Sequence, residues 1–226
     1  MKEFKHLPGL DLIRVFGILV VVFYHYQVET AVQGLCPADF LPAMEPLVQV
    51  AVYTMTLLSG SCLCWQEKSR SWSMKRYLWG RFLAIYPLFW LCFFPIFFYS
   101  DIICGNNEGV APWKLLLSIV GVDGYFQSFT PTFYKIGEWY LGCILFLYAV
   151  FPVLWRMIRR RGVVFAAVGA LFAWLACCFV ENPGQLYPTL IGQLPLFFMG
   201  IFLGGCLPSL WIPGILAGMT TLVLYG

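Results

Sequence analysis

Apolar runs of seventeen residues or more recur seven times along the chain, at about 8–28, 46–65, 82–100, 138–157, 162–180, 189–207 and 210–226. A helix needs about 20 such residues to cross the hydrocarbon of a bilayer. Strict alternation of apolar and polar residues, the mark of a membrane β-barrel, is absent. With 61% hydrophobic and 11% charged residues, the chain also lacks the polar surface of a soluble domain, which is about 25% charged. The expected fold is all-α: a polytopic transmembrane helix bundle of about seven spans. Residues 1–226 read as one transmembrane domain. It is expected to be incomplete at its C-terminus, because the last run stops at Tyr225-Gly226 with no polar flank.

The cations set the expected orientation. Placing the N-terminus in the cytoplasm puts Lys2, Lys5, Lys68, Arg70, Lys75, Arg76 and the cluster Arg156 to Arg161 in inner segments. Outer segments then hold Lys114 and Lys135 and most of the acids, which is the positive-inside bias. No cleavable leader is evident, since the first run is long and no small-residue cleavage site follows it. The expected location is the inner, plasma membrane, with the lipid bilayer as a partner and no nucleic acid. The nine cysteines and two histidines contain no CxxC pair, and cysteines within spans behave as small hydrophobes. No metal site is expected.

The stretch from Leu7 to Glu29 is the most informative. Arg14 and His25 stand eleven residues apart, which on a helix is three turns with about 20° left over and about 16 Å of rise. Both therefore project from one line of the first span. Ionisable groups inside a span are costly and usually mark a site. Asp11, three residues before Arg14, is placed to pair with it, and Glu29, four residues after His25, is placed to orient the imidazole. The plainer alternatives are that Arg14 snorkels to headgroups and that His25 sits with Tyr24 and Tyr26 in an interfacial belt.

Elsewhere, Leu58-Ser59-Gly60-Ser61 and the glycines at 200, 204 and 205 are small residues that permit close helix approach. The basic segment before the third span, with Lys75 and Arg76, satisfies orientation and attracts anionic headgroups; its functional reading is a cradle for a phosphorylated cofactor. The apolar piece from Trp113 to Val122 is too short to span and is expected to lie in the interface or re-enter.

Taken in order, these motifs resemble acyltransferase family 3, integral-membrane proteins that move acyl groups onto cell-envelope glycans. The opening helix, Leu10-Asp11-Leu12-Ile13-Arg14 followed by His25, is similar to the family's D-x-x-R…H helix. Leu58-Ser59-Gly60, Arg81 with Ile85-Tyr86-Pro87, Trp139-Tyr140-Leu141 through Tyr148 to Pro152, and Phe197-Phe198-Met199-Gly200 follow in the family's order. Two features depart from it: Ala84 stands at the second arginine of the R-x-x-R pattern, with Lys75 and Arg76 as candidate substitutes, and the family has about ten spans where seven are read here. The resemblance implies a cytoplasmic acyl-CoA donor, usually acetyl-CoA, and as acceptor a hydroxyl of an envelope polysaccharide, another glycan or a lipid-linked sugar. It implies Arg14, Arg76 and Arg81 as donor-binding cations, and His25 as catalytic base or acyl carrier with Glu29 behind it. The competing readings are a transporter or flippase of an envelope precursor and a catalytically inactive, truncated remnant.

Overall fold

The computed structural model describes residues 8–35, 40–68, 71–105, 109–126, 129–133, 139–162, 164–178 and 189–206. These residues are helical or irregular, with no strand among them. In chain order the helices are α1 (Pro8–Val32), α2 (Leu41–Lys68), α3 (Met74–Phe97), the short α4 (Leu115–Val120), α5 (Trp139–Arg161), α6 (Val164–Cys178) and α7 (Leu190–Cys206). Four helical stretches are long and apolar enough to cross a membrane: Gly9–Val32, Leu41–Lys68, Met74–Ile103 and Trp139–Arg161. The third includes a wider π-type turn, Phe98–Ile103, that continues α3. The α6 and α7 helices are shorter, at 15 and 17 residues. The last expected span, 210–226, lies outside the described residues.

The helices run further than the apolar runs that announced them. The α3 helix starts at Met74, not at 82, and α2 starts at Leu41, not at 46. Lysine, arginine and glutamate are good helix formers but poor spanning residues, so hydropathy marks the hydrocarbon segment and misses its helical flanks. As a result Lys75, Arg76 and Arg81 lie on α3 itself.

The chain divides into two compact units. The first comprises Met1–Ser71, Met157–Tyr187 and Ile191–Gly226, and so contains α1, α2, α6 and nearly all of α7. Within it α1 and α2 pack antiparallel. Leu10 meets Leu58 near one end, with Ile13, Leu57, Cys62 and Trp65 around them. Val20 meets Val48 and Ala51 near the other, with Val21 and Tyr24.

The α2–α7 seam is closer still. A Cβ added at Gly60 would collide with the Phe197 carbonyl, and one at Gly200 with the Leu57 carbonyl. Only glycine lets the two backbones approach this far, which is how small residues join helices in lipid. Polar groups reinforce the seam: Ser61 Oγ donates to the Gly200 carbonyl at 2.8 Å, and Thr56 Oγ1 donates to Gln193 Oε1 at 2.7 Å. Thr56 and Gln193 are both fully buried.

The second unit comprises Trp72–Arg156 and Pro188–Leu190. It is built on rings. Trp72, Tyr77, Phe151 and Trp155 stack at neighbouring centroid distances of 5.5–6.4 Å, and Tyr77 Oη donates to the Tyr148 carbonyl at 2.7 Å. Phe93 and Phe151 are fully buried.

Between α3 and α5 the chain folds back as Pro112–Lys114, α4, and a second tight turn at Asp123–Tyr125. Gly121 ends α4 in the left-handed region at φ 80°, and its N–H and that of Val122 both return to the Leu117 carbonyl, a Schellman-type stop. The carbonyls of Ile119 and Val120 accept hydrogen bonds from Trp90 Nε1 at 2.9 Å and Tyr86 Oη at 3.1 Å. At 1.5 Å per residue these donors lie about 24 and 18 Å along α3 from Met74, near the middle of a helix about 45 Å long. The apolar piece, expected to lie in the interface or to re-enter, thus packs against the middle of α3, which supplies donors to two of its carbonyls.

Candidate functional site

The α1 helix is unbroken from Pro8 to Val32, so the spacing read from sequence holds in three dimensions. Its face against α2 runs through Leu10, Ile13, Gly17, Val20 and Tyr24. Arg14 and His25 sit together on the flank of that seam, about 20° apart around the axis and about 16 Å apart along it. Arg14 is half-buried and His25 is exposed.

Arg14 is held from two sides. Nη1 donates to Asp11 Oδ1 at 3.3 Å, and Nη2 donates to Cys62 Sγ of α2 at 2.9 Å. The pairing of Asp11 with Arg14 expected from i,i+3 spacing is thus present. Asp11 is 44% and Arg14 40% exposed, so the pair orients the guanidinium more than it stabilises the fold. Cys62 is the partner that sequence reasoning missed. It lies 48 residues away, and no local signal points to it. A thiol is a weak acceptor, and a guanidinium has five N–H donors, of which these two bonds use two. Among the described residues, donors on Arg14 therefore remain for an oxyanion.

His25 makes no hydrogen bond or ion pair among the described residues. Its neighbour is the Tyr24 ring, edge-on at 5.9 Å. Among the described residues both imidazole nitrogens are therefore without a hydrogen-bond partner. Glu29 does not reach it here: Glu29 Oε1 accepts from Gln33 Nε2 at 2.8 Å, one turn the other way.

The cations of the second unit are arranged differently. Arg76 is exposed and, with Ser73, Lys75 and Trp79, lines a shallow hollow of about 480 Å³. Arg81 is half-buried with its guanidinium 5.4 Å from the centre of the Tyr148 ring. Ala84, at the second arginine position of the motif, is exposed and offers no charge. No group of three or more potential metal ligands occurs among the described residues.

Buried polar groups in the segment around α4 were also not expected. Asp123 and Ser118 are both fully buried. Among the described residues neither the Asp123 carboxyl nor the Ser118 hydroxyl has a well-formed hydrogen bond. Burial pushes the Asp123 carboxyl above the usual carboxylate range, partly countered by the nearby Ser118 hydroxyl and the backbone N–H groups of Asp123 and Gly124. Burial likewise raises the Tyr125 phenol, with the neighbouring Cys143 thiol adding to the shift.

A chain with several helices of membrane length and apolar composition, and with a guanidinium and an imidazole on one line of its first helix, defines a helical membrane protein. A family model described as an acyltransferase domain matches residues 7–221. The chain belongs to that family, acyltransferase family 3, as its motifs implied, and its function is acyl transfer. No curated protein and no solved structure matches the chain.

Proposed function

We propose that this acyltransferase takes its acyl group, usually acetyl in the family, from acyl-CoA on the cytoplasmic side and passes it to a hydroxyl of an envelope glycan or lipid-linked sugar. The observation that carries this reading is the line from Arg14 to His25 on α1, where among the described residues some Arg14 donors and both imidazole nitrogens have no partner. A guanidinium keeps its charge and forks onto phosphate oxygens, which suits Arg14 to the phosphates of the donor. The pantetheine arm is long enough to carry the thioester along the same flank to His25.

There the imidazole takes the proton of the acceptor hydroxyl as its oxygen attacks the thioester carbonyl. The C–S bond breaks, and the imidazolium returns the proton to the departing thiolate, so the step is balanced without a further reactant. Glu29 exchanges Gln33 for His25 in this scheme and steadies the cation. The positive-inside bias supports an N-terminus in the cytoplasm and a multi-pass chain of about seven spans in the plasma membrane.

The test is acyl transfer from radiolabelled acetyl-CoA to membrane glycan. His25→Ala is expected to abolish transfer, a loss of at least about 10²-fold, while the protein still inserts and melts normally. Arg14→Ala is expected to weaken acyl-CoA binding in detergent. Full activity in His25→Ala overturns the catalytic assignment, and unchanged affinity in Arg14→Ala overturns the donor assignment.

A further inference from the structure

The two tyrosines that flank His25 on α1 are not equivalent. Tyr26 is 63% exposed, as a residue of an interfacial belt would be. Tyr24 is half-buried, and its ring packs on the cluster that Val20 makes with Val48 and Ala51 of α2. Held in that seam, the ring stands edge-on to the imidazole, with the two centroids 5.9 Å apart.

The Tyr24 hydroxyl donates to no group among the described residues. Neighbouring donors at this end of the helix are engaged. Thr30 Oγ1 donates to the carbonyls of Tyr26 and Gln27 at 3.0 and 3.1 Å, and Gln33 Nε2 to Glu29 Oε1 at 2.8 Å. Side chains on a helix lean toward its N-terminus, and the contact of Tyr24 with the Val20 cluster agrees with that lean. It carries the phenol from His25 toward the Arg14 end of α1, the direction from which the thioester arrives in the donor scheme.

The reaction needs a donor at that point. As the acceptor oxygen attacks the thioester carbon, an electron pair moves onto the carbonyl oxygen, and a donor aimed at that growing charge lowers the barrier. In the same scheme His25 is occupied with the acceptor proton, and Arg14 is about 16 Å away along the helix. A hydrogen bond spans about 2.8 Å. One tetrahedral carbon, with one oxygen on the imidazole and another on the phenol, therefore fits between rings held this close. We infer that Tyr24 is the oxyanion donor of the acyl-transfer step. Its O–H donates to the thioester carbonyl oxygen and keeps its proton throughout. Collapse re-forms the C=O bond and breaks the C–S bond, and the departing thiolate takes the proton held by the imidazolium. The inference rests on the reading that transfer takes place at His25.

Acetyl transfer from radiolabelled acetyl-CoA to membrane glycan by the full chain, with kcat and KM separated, tests it. Tyr24→Phe keeps the ring, its packing on α2 and its edge contact with the imidazole, and removes the hydroxyl alone. It is expected to lower kcat about 10²-fold, with an unchanged KM for acetyl-CoA and an unchanged melting temperature. Tyr26→Phe is expected to leave kcat as it is. A wild-type kcat in Tyr24→Phe, with His25→Ala inactive in the same assay, overturns the inference and leaves the His25 reading standing. A raised KM at unchanged kcat also overturns it, because the hydroxyl then holds the ground state and the transition state equally. Equal losses of kcat in Tyr24→Phe and Tyr26→Phe overturn it as well, since the two hydroxyls would then act alike. Full activity in His25→Ala overturns the underlying reading, and the inference with it.

Discussion

The α2–α7 seam yields a sharp prediction, because one substitution has opposite signs at two glycines. At Gly200 an added methyl meets the Leu57 carbonyl and crowds the Ser61 N–H, so the helices must part by roughly an ångström. Overpacking of this kind costs about 1–3 kcal/mol. Parting also strains the Ser61 hydrogen bond to the Gly200 carbonyl, and interhelical bonds of this type average about 0.6 kcal/mol. Gly200→Ala should therefore destabilise by about 1–2.5 kcal/mol, allowing for the roughly 1 kcal/mol of helix propensity that alanine gains. At Gly80 on α3, an added Cβ has nothing within 4 Å, and the same change should stabilise by about 0.5–1 kcal/mol. Reversible unfolding in mixed micelles, followed by circular dichroism, measures both. The activity effect should follow the seam, since Cys62, next to Ser61 on α2, holds Arg14. A Gly200→Ala protein as stable as Gly80→Ala would refute the close-packing argument.

Three further predictions concern the other sites. The neutral Asp123 carboxyl is favoured in the folded protein, because burial raises its pKa. That contribution is fully present below about pH 3.9 and is lost as pH rises through the raised folded value. The wild-type melting temperature should fall across that interval and Asp123→Asn should flatten the fall, as a pH series of melts would show. Cys62→Ala removes the second support of the Arg14 guanidinium, so acyl-CoA affinity should drop a few-fold with the fold intact, measured by titration calorimetry. Tyr86→Phe deletes the bond to the Val120 carbonyl at a cost of about 1 kcal/mol, and should speed amide exchange at Gly121 and Val122 more than elsewhere.

Much of the architecture was legible because a bilayer imposes a length. The runs at 8–28 and 138–157 became α1 and α5 within a few residues. The Asp11–Arg14 pair was legible too, since three-residue spacing on one helix leaves little choice. Glu29 shows where local geometry stops deciding. His25 and Gln33 both stand four residues away, and the carboxylate took the amide. Cys62 and Asp123 were beyond reach for a different reason. Nothing in the segment around Arg14 specifies a thiol on α2, and an aspartate between two expected spans reads as a solvated loop residue. Its burial depends on Trp90 and Tyr86 drawing α4 inward.

Tyr86 serves two masters. Its hydroxyl donates to the Val120 carbonyl at the end of α4, while its ring helps wall a small recess between α3 and α5. A group that filled the recess would therefore press, through a single phenol, on the turn that ends α4.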